Sequence, residues 1–165
     1  MIPKTKQAME NSYKRCERDF VRIDSSLYRE YQQMAYEDLE SATKEESPRW
    51  VATKAYQALF LMCNSVLVRK LGFYSKDHNC IITALLFNEL IPKETLEAIH
   101  KMLEKKDRLF AEIPAKESFF EEISQIRISR NNYLYLPKTL RNIKTPADRI
   151  IEEVRELIRL LGELQ

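Results

Sequence analysis

Residues 126–137, I-R-I-S-R-N-N-Y-L-Y-L-P, put two arginines, two asparagines and two tyrosines at the end of one predicted helix. Arginine brings a permanent charge and a planar fork of donors that matches phosphate. Asparagine and tyrosine add hydrogen bonds, and a tyrosine ring can stack on a base. At 100° per residue, Phe119, Ile123, Ile126, Arg130 and Tyr133 share one stripe, so Arg130 stands where the pattern points inward or at an interface. An arginine there is costly unless it pairs with an acid or binds an anion. Ile128 and Tyr135 share a second face, with Asn131 and Asn132 beside it. Two faces that both need cover suggest a helix held between its own bundle and a second copy of the chain across a two-fold axis.

The charge pattern sharpens this. From Ile123 to Ala147 there is no Asp or Glu, yet the window holds Arg127, Arg130, Lys138, Arg141 and Lys144, with Tyr133 and Tyr135 among them. Basic side chains interleaved with aromatics hold phosphates and stack bases. The competing reading is a solvated basic helix end favoured by the helix dipole. Pro137 ends the helix, and 137–146 forms a loop next to the candidate site.

Other chemistry-bearing residues have structural readings first. His78 starts a short helix, where it caps or packs, with a contribution to a ligand pocket as the alternative. His100, between Ile99 and Lys101, belongs at the surface or its boundary, and two distant histidines with scattered acids make no metal motif. Cys16, Cys63 and Cys80 are an odd number at wide spacing, expected as reduced, buried thiols. Tyr56 and Phe60 read as core. Lys101, Lys105, Lys106 and Arg108 interleave with Glu104 and Asp107 as a solvated face. No P-loop, dinucleotide fingerprint or nucleophile elbow is present, and no cofactor is expected.

The elements that must position these residues are helices. The 165 residues contain two glycines and six prolines, too few glycines for the positive-φ turns of a sheet protein. With 44% hydrophobic and 32% charged residues and a net charge of +2, the chain reads as one globular domain of residues 1–165. Its longest apolar run, Ala58–Met62, is short for a membrane span, and its first twenty residues lack the apolar core of a signal peptide, so a cytoplasmic protein is expected.

Ser47-Pro48 predicts a helix start and Gly72 its stop, with Val51, Ala55, Leu59, Met62 and Val66 on one face. Asp77 caps a helix from His78 to about Asn88. Pro92 opens another, with Leu96, Ile99, Leu103 and Phe110 on one side. Thr145-Pro146-Ala147-Asp148 starts a C-terminal helix, residues 145–164, with a stripe of Ile150, Ile151, Val154, Leu157, Ile158 and Leu161. Ser25 or Ser26 caps a helix carrying Tyr28, Tyr31, Met34, Ala35 and Leu39, and a polar helix spans about 3–20. The sum is an all-α antiparallel bundle of six to seven helices.

Three stretches resemble the HEPN family, small helical domains of prokaryotic nucleotide-binding proteins and ribonuclease toxins. WVATKAYQALF at 50–60 is similar to that family's A-Y-Y-A-x-F helix. LGFYSKDHNCII at 71–82 looks like its glycine loop and Lys-x-His helix start. RNNYLY at 130–135 lies where the family has Arg, a polar residue and a histidine four to six positions on. The resemblance covers about 28–137 and leaves out the N-terminal segment and the last helix.

It implies a homodimer whose two motifs face each other, a nucleotidyltransferase partner, and in active members metal-independent RNA cleavage. In those, arginine stabilises phosphate charge, histidine moves protons and the ribose 2′-OH attacks. Arg130 and Asn131 match the motif, but its histidine falls on Tyr135, or on Tyr133 if the match slips. A phenol with a pKa near 10 shuttles protons poorly at neutral pH. The resemblance thus implies RNA or nucleotide binding with weak or absent catalysis, a toxin-type endoribonuclease and a non-catalytic adaptor being the alternatives.

Overall fold

The longest helix is set by its two ends. In the computed structural model, which describes residues 6–111 and 146–163, Ser47 takes the N-cap position in extended backbone and Pro48 the first turn. Twenty-four residues later Gly72 stops the helix at φ 68°, its amide donating to the Val68 carbonyl at 2.9 Å. That left-handed conformation is why a glycine ends this helix.

Numbered in chain order, the helices are α1 (Lys6–Cys16), α2 (Tyr28–Thr43), α3 (Pro48–Leu71), α4 (His78–Phe87), α5 (Lys93–Ala111) and α6 (Pro146–Glu163). The fold is therefore an all-α helical bundle, with six α-helices among the described residues. α3 is the axis, packing against α2, α6, α4 and α5, while α1 packs mainly on α4.

Every predicted inward position on α3 is buried: Val51, Ala55, Leu59, Met62 and Val66, with Tyr56 and Phe60 beside them. By length and composition Trp50–Leu71 could cross a membrane, but 83% of its apolar stretch is buried inside the protein. From Ala58 to Val68 every residue is buried, because neighbours cover that stretch on every side. The α6 stripe is also inward, with Ile151, Val154, Leu157, Ile158 and Leu161 buried. On α5, Leu96 and Ile99 are buried, while Leu103 and Phe110 lie outside the side chains described.

The structure corrects several details. The N-terminal helix is shorter than expected, giving way at Glu17–Asp19 to a 3-10 turn. Asp24, rather than Ser25 or Ser26, caps the next turn, its carboxylate accepting from the Ser26 amide at 2.8 Å. Met34 is 48% exposed, because Ala35, Leu39 and Ala42 form the buried face of α2. Two short strands, β1 (Val21–Arg22) and β2 (Phe73–Tyr74), pair antiparallel and tie the segment before α2 to the end of α3.

The largest correction concerns the cysteines. Cys16 and Cys80, expected as separate thiols, form a disulfide with a Cα–Cα distance of 5.3 Å across 64 residues of sequence. The bundle lays the end of α1 beside the first turn of α4, a proximity that spacing along the chain does not reveal. Cys63 remains a free, buried thiol as expected, and burial pushes it up to about 12.

Candidate functional site

Of the residues expected to form the site, Arg127, Arg130, Asn131, Tyr133, Tyr135, Lys138, Arg141 and Lys144 lie outside the described residues. His78 lies within them. Its place is built from α3 outward. Buried Asn64 makes a two-way bond with the loop before α4: its Nδ2 donates to the Ser75 carbonyl at 3.0 Å, and the Ser75 amide donates to its Oδ1 at 3.1 Å. The Ser75 hydroxyl then accepts from the Asp77 amide at 3.1 Å. Asp77 caps α4 as the sequence predicts, Oδ1 accepting from the Cys80 amide at 2.9 Å. His78 opens that helix and lies flat on Phe60, with ring centroids 3.5 Å apart and planes 6° from parallel.

Two of the three motif-bearing stretches thus meet. The 50–60 stretch supplies Phe60, and the 71–82 stretch supplies His78. In this geometry His78 is half-buried and packs, as its structural reading holds. Among the described residues no three His, Cys, Asp or Glu side chains gather to hold a metal ion.

A second cluster escaped the sequence reading. At the end of α3, the Arg69 guanidinium carbon lies 4.9 Å from the centre of the Tyr28 ring, and that of Arg29 lies 5.7 Å from it. Arg29 Nε also donates to the Tyr28 hydroxyl at 3.1 Å. That hydrogen bond, with the charges of Arg29 and Arg69, holds the phenol below its usual range, and it raises Arg29 in return.

Arg22 reaches the same helix end, where Nη1 donates to the Leu71 carbonyl at 3.1 Å and the guanidinium carbon lies 5.7 Å from the centre of the Phe73 ring. Lys70 is the neighbouring exposed cation. Among the described residues no carboxylate forms an ion pair with Arg22, Arg29, Arg69 or Lys70. The last-turn basics Arg69 and Lys70 were a legible signal in themselves. The register that brings Arg69 to Tyr28 depends on how α2 crosses α3, which no local pattern records.

Lys54 makes a useful contrast. It bridges α3 to the end of α2 through Glu45 at 2.8 Å and Ser41 at 3.0 Å, and so serves as an internal brace. The Lys54 hydrogen bond in turn holds the Glu45 carboxyl below its usual range.

Comparison with known protein families, curated proteins and solved structures finds no match.

Proposed function

We propose that this protein binds RNA or a nucleotide through basic, tyrosine-bearing surfaces, works as a homodimer in the cytoplasm, and has weak or no nuclease activity of its own. The observation that carries the reading is the end of α3, where Arg29 and Arg69 lie over the Tyr28 ring, Arg22 reaches the Leu71 carbonyl and Lys70 is exposed, four cations with no ion-pair partner among the described carboxylates. Guanidinium groups over an aromatic ring, with no described carboxylate beside them, offer a phosphate both charge and forked donors, and offer a base a stacking plane. The acid-free window with Arg127, Arg130, Lys138, Arg141 and Lys144 supports the same ligand class from a different part of the sequence.

The HEPN-like motifs support the dimer and a nucleotidyltransferase partner. They also supply the catalytic alternative, in which Arg130, Asn131 and Tyr135 cut RNA without a metal. The Tyr135 phenol argues against it, since a proton shuttle at neutral pH needs a group that titrates near there. In a cytoplasmic setting the Cys16–Cys80 bond is a transient one, because that compartment keeps thiols reduced.

The deciding experiment is cleavage of total RNA and tRNA in EDTA by the wild type, Arg130→Ala and Tyr135→Phe. The proposal expects binding without cutting. Cleavage that survives EDTA and disappears in Arg130→Ala would replace it with the ribonuclease reading.

A further inference from the structure

Among the described helices α1 has the weakest hold on the core. Cys16 is its one buried residue, and its sequence, KQAMENSYKRC, is largely polar. An eleven-residue helix of this kind is marginal in water by itself. Two features fix it to α4: the Cys16–Cys80 bond, and Tyr13 stacked on Phe87 with centroids 4.2 Å apart. Tyr13 continues to Phe20 at 5.4 Å, and Phe20 stacks on Phe73 of the ribbon at 4.3 Å. A ladder of four rings therefore runs from the end of α4 to the end of α3, with α1 supplying one rung.

Both sulfurs sit at the margin of the core, Cys16 at 8% and Cys80 at 6% exposure, where local opening of a short helix lets a small reductant in. Cys63, at 0%, is sealed beneath α3's neighbours and takes no part. Cys80 lies in the first turn of α4, its amide donating to the Asp77 cap at 2.9 Å. An Asp19 carboxylate oxygen lies 3.9 Å from its sulfur.

We propose that the Cys16–Cys80 disulfide is a redox latch on α1, opened by a dithiol reductant, whose release uncovers the Phe87–Tyr13–Phe20–Phe73 ladder. A reductant thiolate attacks one latch sulfur, forming a mixed disulfide while the other cysteine leaves as a thiolate. The second reductant thiol then displaces the mixed disulfide. The reductant departs as its own disulfide, and Cys16 and Cys80 together take up two electrons and two protons. With the bond gone, α1 retains one buried residue and one ring stack, and it detaches while α3 keeps its cover. The first turn of α4, which carries His78, loses a neighbour at the same moment. This inference stands apart from the proposed ligand.

The test uses the full chain, air-oxidised or treated with dithiothreitol, and a Cys16→Ser/Cys80→Ser variant that needs no reductant. Unfolded in denaturant, the oxidised protein is expected to titrate one thiol and the reduced protein three, the number of cysteines in the chain. By native-state hydrogen exchange, amides of 6–16 are expected to exchange about tenfold faster or more after reduction. The double variant is expected to match the reduced protein, with α3 still protected in both. Three thiols in the oxidised protein would overturn the proposal. So would an α1 that keeps its protection, or one that loses it in step with α3.

Discussion

Arg69 and Arg159 both occupy exposed helix positions, and they are put to opposite uses. Arg159 on α6 is closed from two sides: it grips Glu156 with Nη2 at 2.6 Å and Nε at 3.0 Å, and pairs with Glu163 one turn on. The Glu156 hydrogen bonds raise its basicity further, and Glu156 is lowered in return. Arg69 meets the face of Tyr28, a ring shared with Arg29, and no carboxylate among the described residues. The difference teaches where to look for function in a chain whose net charge is only +2. Total charge says little, whereas the absence of counter-charges around particular arginines marks the surface able to accept an anion.

The most forceful way to break the comparison is to remove both arginines over Tyr28. Arg29→Ala/Arg69→Ala is expected to weaken binding of a labelled single-stranded RNA about tenfold or more at low salt, and to flatten the salt dependence by about 0.7 unit per arginine. Arg159→Ala is expected to leave both quantities unchanged in the same anisotropy titration. Equal losses in the two variants would erase the distinction between them.

Gly72→Ala tests whether the α3 end is a fixed platform. A φ of 68° strains any side chain, so unfolding in denaturant is expected to show a loss of about 1–2 kcal/mol. An added Cβ would come within 3.6 Å of the Ile23 carbonyl, an ordinary contact, so the cost is backbone conformation rather than collision. Asp77→Ala removes the cap of α4 and is expected to cost about 1 kcal/mol. Because α4 supplies none of the residues of the Arg69 cluster, RNA affinity should stay as it was.

The smallest effect belongs to the closed arginine. Glu156 has a folded pKa below its ordinary 4.5, so its pairing stabilises the fold above that pH and is lost as pH falls through the lower folded value. Thermal melts are therefore expected to lose a little more stability on acidification in the wild type than in Arg159→Ala. An unchanged difference between the two down to the acid limit would show that the pair contributes nothing.

Much of the fold was legible because its punctuation is local. Ser47-Pro48, Gly72, Asp77 and Pro146 mark helix boundaries within a residue or two, and the apolar spacing of α3 and α6 gave their buried faces. The features that escaped are those made by the crossing of distant segments. Cys16 meets Cys80 only because α1 folds back on α4, and Arg69 meets Tyr28 only because the start of α2 lies along the end of α3. The two-residue strands are too short to leave a period in the sequence. The sequence indicated the helix start at His78 correctly, but not the Phe60 ring on which His78 rests.

The most direct test of the central claim is equilibrium binding of a single-stranded RNA oligonucleotide to the full chain between about 50 and 200 mM salt. If Arg22, Arg29, Arg69 and Lys70 meet the phosphates, the logarithm of the affinity falls linearly with the logarithm of salt, with a slope of about −3 or steeper. Absence of binding at the lowest salt, or a slope that Arg29→Ala/Arg69→Ala leaves unchanged, would contradict the account.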